Sequence, residues 1–264
     1  MKNLTIALAL SILPILTSCS RAEKSSYEIK APQQQIDHSH AAFTDVLSKH
    51  LKDGRFDYAA LNKNPAPLNA YLDTLAAVPE SAYKKWTVDQ RMAFLINLYN
   101  AATIKLIIDH YPLESIKDIG GIFKGPWKQD VVRLWGEIVT LDHVEHDLLR
   151  PRFDEPRIHF AVNCASIGCP DLRDEAFRAA DLEKQLEEQT RKFVRDRSRN
   201  RLDAGDKTLY LSPLFDWFEE DFVNASGSVE KVVAPYFNEK DRAVIRRGDM
   251  DIEHTDYDWS LNEP

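Results

Sequence analysis

The sequence predicts an α+β protein: a single, mostly helical domain over residues 38–262, with a central buried helix and a small sheet that includes hairpins. Three observations carry that expectation. Val88 to about His110 is apolar nearly all round, the mark of a helix enclosed by its own fold. Short apolar runs flank Trp135-Gly136-Glu137 and again Ala204-Gly205-Asp206, as the arms of hairpins do. Elsewhere apolar residues recur at helical spacing in short stretches closed by Gly, Pro or Asp.

Taken in order, Ala42, Phe43, Val46, Leu47 and Leu51 share one helical face, and Asp53-Gly54 reads as its stop. Leu68, Tyr71, Leu72 and Leu75 make a second helix. Thr87-Val88-Asp89-Gln90 is a capping box that opens the long helix. Val131–Leu134 and Ile138–Leu141 form the first hairpin. Asp142-His143-Val144-Glu145 repeats the capping-box pattern and starts a short helix ended by Pro151. Arg157–Cys164 reads as a buried strand. An amphipathic helix runs through Leu182, Leu186 and Phe193, and Leu202–Leu211 is the second hairpin. Leu214–Phe222, Val229–Phe237 and Asp241–Arg247 are short helical stretches before a last segment, Asp251–Trp259. No internal repeat occurs.

Composition narrows the function. The 264 residues carry 34 Lys and Arg against 42 Asp and Glu, a net charge of −8, which argues against binding nucleic acid. Neither a Walker-type loop nor G-x-G-x-x-G is present, so nucleotide chemistry has no local support, and no cofactor is expected. Residues 1–18 read as a signal peptide: Lys2 precedes an apolar run from Leu4 to Leu16. At about 13 residues that run is shorter than the roughly 20 needed to span a bilayer, and no later segment reads as a span. Leu16-Thr17-Ser18-Cys19 resembles a bacterial lipobox, which implies lipidation of Cys19 and a membrane partner through that lipid. Ser20 at the following position implies the outer membrane, facing the periplasm, in a Gram-negative host. Residues 19–37 are the lipidated Cys and a polar tether with Pro32 and three glutamines.

Several segments together resemble the domain of unknown function 547 family. They are Asp37-His38-Ser39, AFLINLYNAATIKLIIDHYP (93–112), Pro126-Trp127-Lys128, VEHDLLRP (144–151), RIHFAVNCASIGCP (157–170), LSPLFDWF (211–218) and YDWSLN (257–262). The resemblance spans about residues 37–262 and implies a fold neighbourhood, not a reaction.

Chemistry concentrates at Cys164-Ala165-Ser166-Ile167-Gly168-Cys169-Pro170. Three readings stand: a disulfide between Cys164 and Cys169 in an oxidising compartment, a nucleophilic Cys164 beside an oxyanion-binding loop, and a weak two-ligand metal site. Gly168 is expected to give the loop the freedom to fold back. As a nucleophile Cys164 needs a base. Five residues along a strand would put His159 on the opposite face, about 17 Å away, so it can serve only if the chain bends sharply between them; otherwise His146 or His38 is needed. The buried helix carries Asn97 and Asn100 on one stripe, and each amide requires partners. Glu145, Arg150, Arg157, Asn163 and Ser166 complete the candidate binding residues; an acidic ligand or a buried ion pair suits the Glu145–Arg150–Arg157 group. His143 and His146 do not make H-E-x-x-H, and no metal is expected. Two functions follow: a periplasm-facing domain that binds a ligand, peptide or envelope protein, or a thiol-dependent hydrolase or acyl transferase with Cys164 attacking a peptide or amide.

Overall fold

The structure, a computed structural model, describes residues 36–121, 124–248 and 250–264. The residues read as a signal peptide, Cys19 and nearly all of the stretch read as a tether lie outside the described residues. Asp37 opens the fold by accepting bonds from the backbone of Ser39 and Ala41, and the helix Ala41–His50 follows, burying Phe43, Val46 and Leu47. Asp53 and Gly54, expected to stop that helix, instead form the turn of a small antiparallel hairpin, Leu51–Lys52 with Arg55–Phe56. Both have positive φ (50° and 78°), the conformation that Asp-Gly favours in two-residue hairpins.

The central helix runs Val88–His110, and both capping-box bonds between Thr87 and Gln90 are made. It is long and apolar enough to cross a membrane, which the sequence reading did not grant, but 89% of its apolar window is buried within the fold. The helices Tyr58–Lys63 and Ala66–Ala76 and the hairpin Val132–Leu134 with Glu137–Val139 pack against it. Asn97 and Asn100 make this helix a framework. Asn97 bonds both the N–H and the C=O of Phe177, and Asn100 spans Ala161 O and Asn163 N–H. Each amide uses donor and acceptor on backbone that forms no regular ladder.

A second apolar cluster holds Phe160, Phe193, Phe215, Phe222 and Phe237. Beside it lies a three-stranded sheet. Arg201–Asp203 pairs antiparallel with Thr208–Leu211, as the second hairpin requires, and Thr208–Leu211 pairs parallel with Asp251–His254, a strand the sequence reading did not assign.

Two local expectations are corrected here. Arg157–Cys164 is not a strand: Pro156–Phe160 is a 3-10 helix, and irregular chain follows. Pro156 fixes the first turn, and the Glu155 side chain caps it by accepting from Arg157 N–H. A short apolar run buried on all sides carries no period to separate strand from helix. The helix at Asp142 is a π-helix, His143–Leu149, with Arg150 N–H reaching Glu145 O. Asp142 has helical dihedrals and caps nothing; Thr140 Oγ1 accepts from His143 N–H instead. The Asp142 carboxylate is thereby released to the site below.

Candidate functional site

Between the two clusters lies a cavity of about 250 Å³. The central helix supplies Tyr99, the π-helix supplies Glu145 and His146 with Asp142 just before it, and the 3-10 turn supplies His159. Cys164 and Cys169 form part of the lining. Trp127, Trp217, Phe218, Tyr257 and Trp259 make an aromatic wall. The rings contact one another: Tyr257 and Trp259 lie 4.5 Å apart between centroids, Trp217 and Tyr257 4.8 Å, Trp127 and Trp259 5.7 Å. The Lys117 ammonium sits 3.6 Å from the Trp259 centroid, so one of these rings already takes a cation.

Because the 3-10 turn replaces the expected strand, His159 and Cys164 line the same cavity instead of lying on opposite faces. His159 stacks on Phe218 at 3.8 Å, and its Nε2–H donates to Asp221 at 2.7 Å. Arg150 grips the same carboxylate through Nε and Nη2. The hydrogen bond from His159, with those from Arg150, holds the Asp221 carboxyl well below the usual carboxylate range. With its proton on Nε2, His159 presents Nδ1 as an acceptor, and that atom is buried without a hydrogen-bond partner. His146, exposed, accepts from Arg150 at 3.0 Å.

Glu145 is 7% exposed and lies beside Tyr99, whose phenol is pushed well above its ordinary range by burial and then by that carboxylate. Burial pushes Tyr257 up to about 12, so its hydroxyl stays protonated. Cys164 and Cys169 are joined in a disulfide, with Cα atoms 6.2 Å apart. Gly168 does not supply the left-handed residue of this loop; Ala165 does, at φ 61°. Gly168 serves close approach instead, since a Cβ there would lie 2.8 Å from the Tyr257 ring.

Not every candidate residue reaches the cavity. Asn97, Asn100 and Asn163 are tied to backbone. Arg157 pairs with Glu155 and Glu183 away from the lining, so Glu145, Arg150 and Arg157 do not form one acidic-ligand clamp. His38 packs edge-on against Trp86, outside the lining. Among the described residues no group of three or more His, Cys, Asp or Glu side chains could hold a metal ion.

The aromatic wall, Asp142 and Asp221 were not singled out from sequence. A signal was present: Trp127, the Trp217–Phe218 pair, Tyr257 and Trp259 all belong to segments that carry the family resemblance. Apart from Asp142, every lining residue comes from those segments.

No curated protein and no solved structure matches the chain. The model of a family described as "Protein of unknown function, DUF547" matches residues 83–194. That stretch holds the central helix, the π-helix, the His159 turn and the disulfide loop; Trp217, Phe218, Tyr257 and Trp259 lie beyond it. Over residues 83–194 the chain is therefore similar to the DUF547 family.

Proposed function

We propose that the chain is a lipid-anchored envelope protein whose domain binds an organic cation in the aromatic cavity. One observation carries the binding reading. Six Phe, Tyr or Trp side chains and the carboxylates of Asp142 and Glu145 line the space, and no Lys or Arg is among the lining residues. A cation over an indole or phenol face gains about 0.5–2 kcal/mol, more as water is excluded, and a half-buried carboxylate adds charge complementarity. The anchor rests on the residues before the domain: the apolar run to Leu16 and the Cys19 that ends it, with the periplasmic face of an outer membrane as the destination in a Gram-negative host.

Calorimetric titration separates charge from shape. Choline is compared with 3,3-dimethylbutanol, its uncharged isostere. Choline is expected to bind at least about tenfold tighter, and Glu145→Gln to remove most of that preference. Equal affinity for the two would overturn the cation reading.

A thiol-dependent hydrolase remains the second reading, favoured by His159 and its Asp221 partner in the wall that also holds Cys164. The disulfide blocks it at rest. Peptide or ester hydrolysis would appear only after reduction and vanish in Cys164→Ser; its persistence in that variant would remove Cys164 from the mechanism.

A further inference from the structure

We propose that the Cys164–Cys169 disulfide is a redox site that exchanges with thiols entering the cavity, with Cys164 attacked and Cys169 leaving. The first observation is placement. Both sulfurs belong to cavity-lining residues; Cys164 is partly exposed and Cys169 is 3% exposed, so an incoming thiol meets Cys164.

The second is the set of donors around the buried sulfur. Cys169 Sγ lies 2.9 Å from the backbone N–H of Cys164, 3.2 Å from the Tyr257 hydroxyl and 3.4 Å from that of Ser166; the two hydroxyls lie as near Cys164 Sγ, at 3.3 and 3.2 Å, so the backbone N–H is the donor that distinguishes Cys169. Ser166 Oγ is also 3.1 Å from Tyr257 Oη, so Ser166 can donate to Tyr257 while Tyr257 donates to sulfur. A disulfide sulfur accepts hydrogen bonds poorly and a thiolate accepts them well. The backbone N–H singles out Cys169 and suits its sulfur better after the bond opens than before, while the two hydroxyls can serve either sulfur. The Arg199 guanidinium bonds the carbonyls of Ile167 and Cys169, both at 2.8 Å, and adds positive charge on the same side.

The loop also has supports other than the S–S bond. Asn163 bonds Ala165 N–H and Pro170 O, and Ile167 and Gly168 donate to the C-terminal segment at Ser260 and Asp258. Opening the bond leaves those ties in place.

The chemistry balances with thiols alone. A thiolate attacks Cys164 Sγ, the S–S bond breaks, and its electron pair leaves on Cys169 as a thiolate. A second thiolate attacks the mixed disulfide at the incoming sulfur and releases Cys164. Two thiols are oxidised to one disulfide, the protein pair is reduced, and the two protons that the incoming thiols lose are taken up by Cys164 and Cys169. The substrate class is a thiol-bearing peptide or small thiol. None of this rests on the cation reading.

The test uses the folded domain in glutathione, with acid quenching and mass spectrometry. Exchange is expected under native conditions, with the mixed disulfide on Cys164. Tyr257→Phe keeps the ring and should slow opening about tenfold, since it removes a donor to the departing thiolate. Ser166→Ala provides the same readout if Tyr257→Phe misfolds. Opening only in unfolding urea, an adduct on Cys169, or unchanged rates in a folded variant would each overturn the proposal.

Discussion

Two aromatic clusters of similar composition sit in this protein and do different things. Around Tyr83, the rings of Trp86, Phe94 and Trp135 lie within 5.0–5.7 Å of it, and Tyr83 and Phe94 are sealed against the core. Around Tyr257, Trp217 and Trp259 are just as close, yet Trp217 is 46% exposed and the rings face a cavity with two carboxylates. Ring type and spacing do not distinguish them. What distinguishes them is whether the faces are consumed by packing or left open beside charge.

The largest consequence is in stability. Phe94→Ala empties a fully buried position on the central helix and should cost about 3–5 kcal/mol. Trp217→Ala removes a half-exposed ring and should cost under about 1 kcal/mol. Urea midpoints at unchanged slope measure both. Equal losses would mean that the cavity wall is core.

Acid should act next, through the sealed side. His40 is buried, bonds Tyr71 at 2.8 Å, and is held at about 4 by burial and by the nearby His38. As pH falls from 6.5 to 4 the unfolded chain takes up a proton that folded His40 refuses. Stability therefore falls with pH across that window, by about 3 kcal/mol from this group. His40→Gln, which cannot take up the proton, should show a correspondingly shallower loss; a parallel loss in both proteins would remove His40 from the acid response. Asp221 acts lower. Its depressed carboxyl stabilises the fold above the ordinary carboxylate range, and that contribution is lost only as pH falls through the lowered folded value.

Legibility from sequence divides along the same line. The central helix was plain because its signals are local: a capping box, then an apolar run from Met92 to Ile108. The disulfide pair was legible because only four residues lie between the two cysteines. The cavity was not, because it joins Tyr99 to Trp259 across most of the chain, and no local pattern records that meeting. His159 was misplaced for a further reason. Its buried run carries no period, and Pro156, which starts the 3-10 turn, lies just before the stretch read as a strand. Arg157 and Glu145, near in sequence and opposite in charge, were grouped as one candidate clamp, although Arg157 turns outward to Glu155 and Glu183.

The claim that the open cluster is the binding site has a direct internal control in the five tryptophans. Trp127, Trp217 and Trp259 line the cavity; Trp86 and Trp135, themselves partly buried, pack around Tyr83 outside that lining. Each indole N–H gives its own proton–nitrogen resonance, and single Trp→Phe variants assign them. Titration with tetramethylammonium should shift the resonances of Trp127, Trp217 and Trp259 with one common saturation curve and leave those of Trp86 and Trp135 in place. Five unmoved resonances at saturating cation, or equal movement in both clusters, would contradict the account.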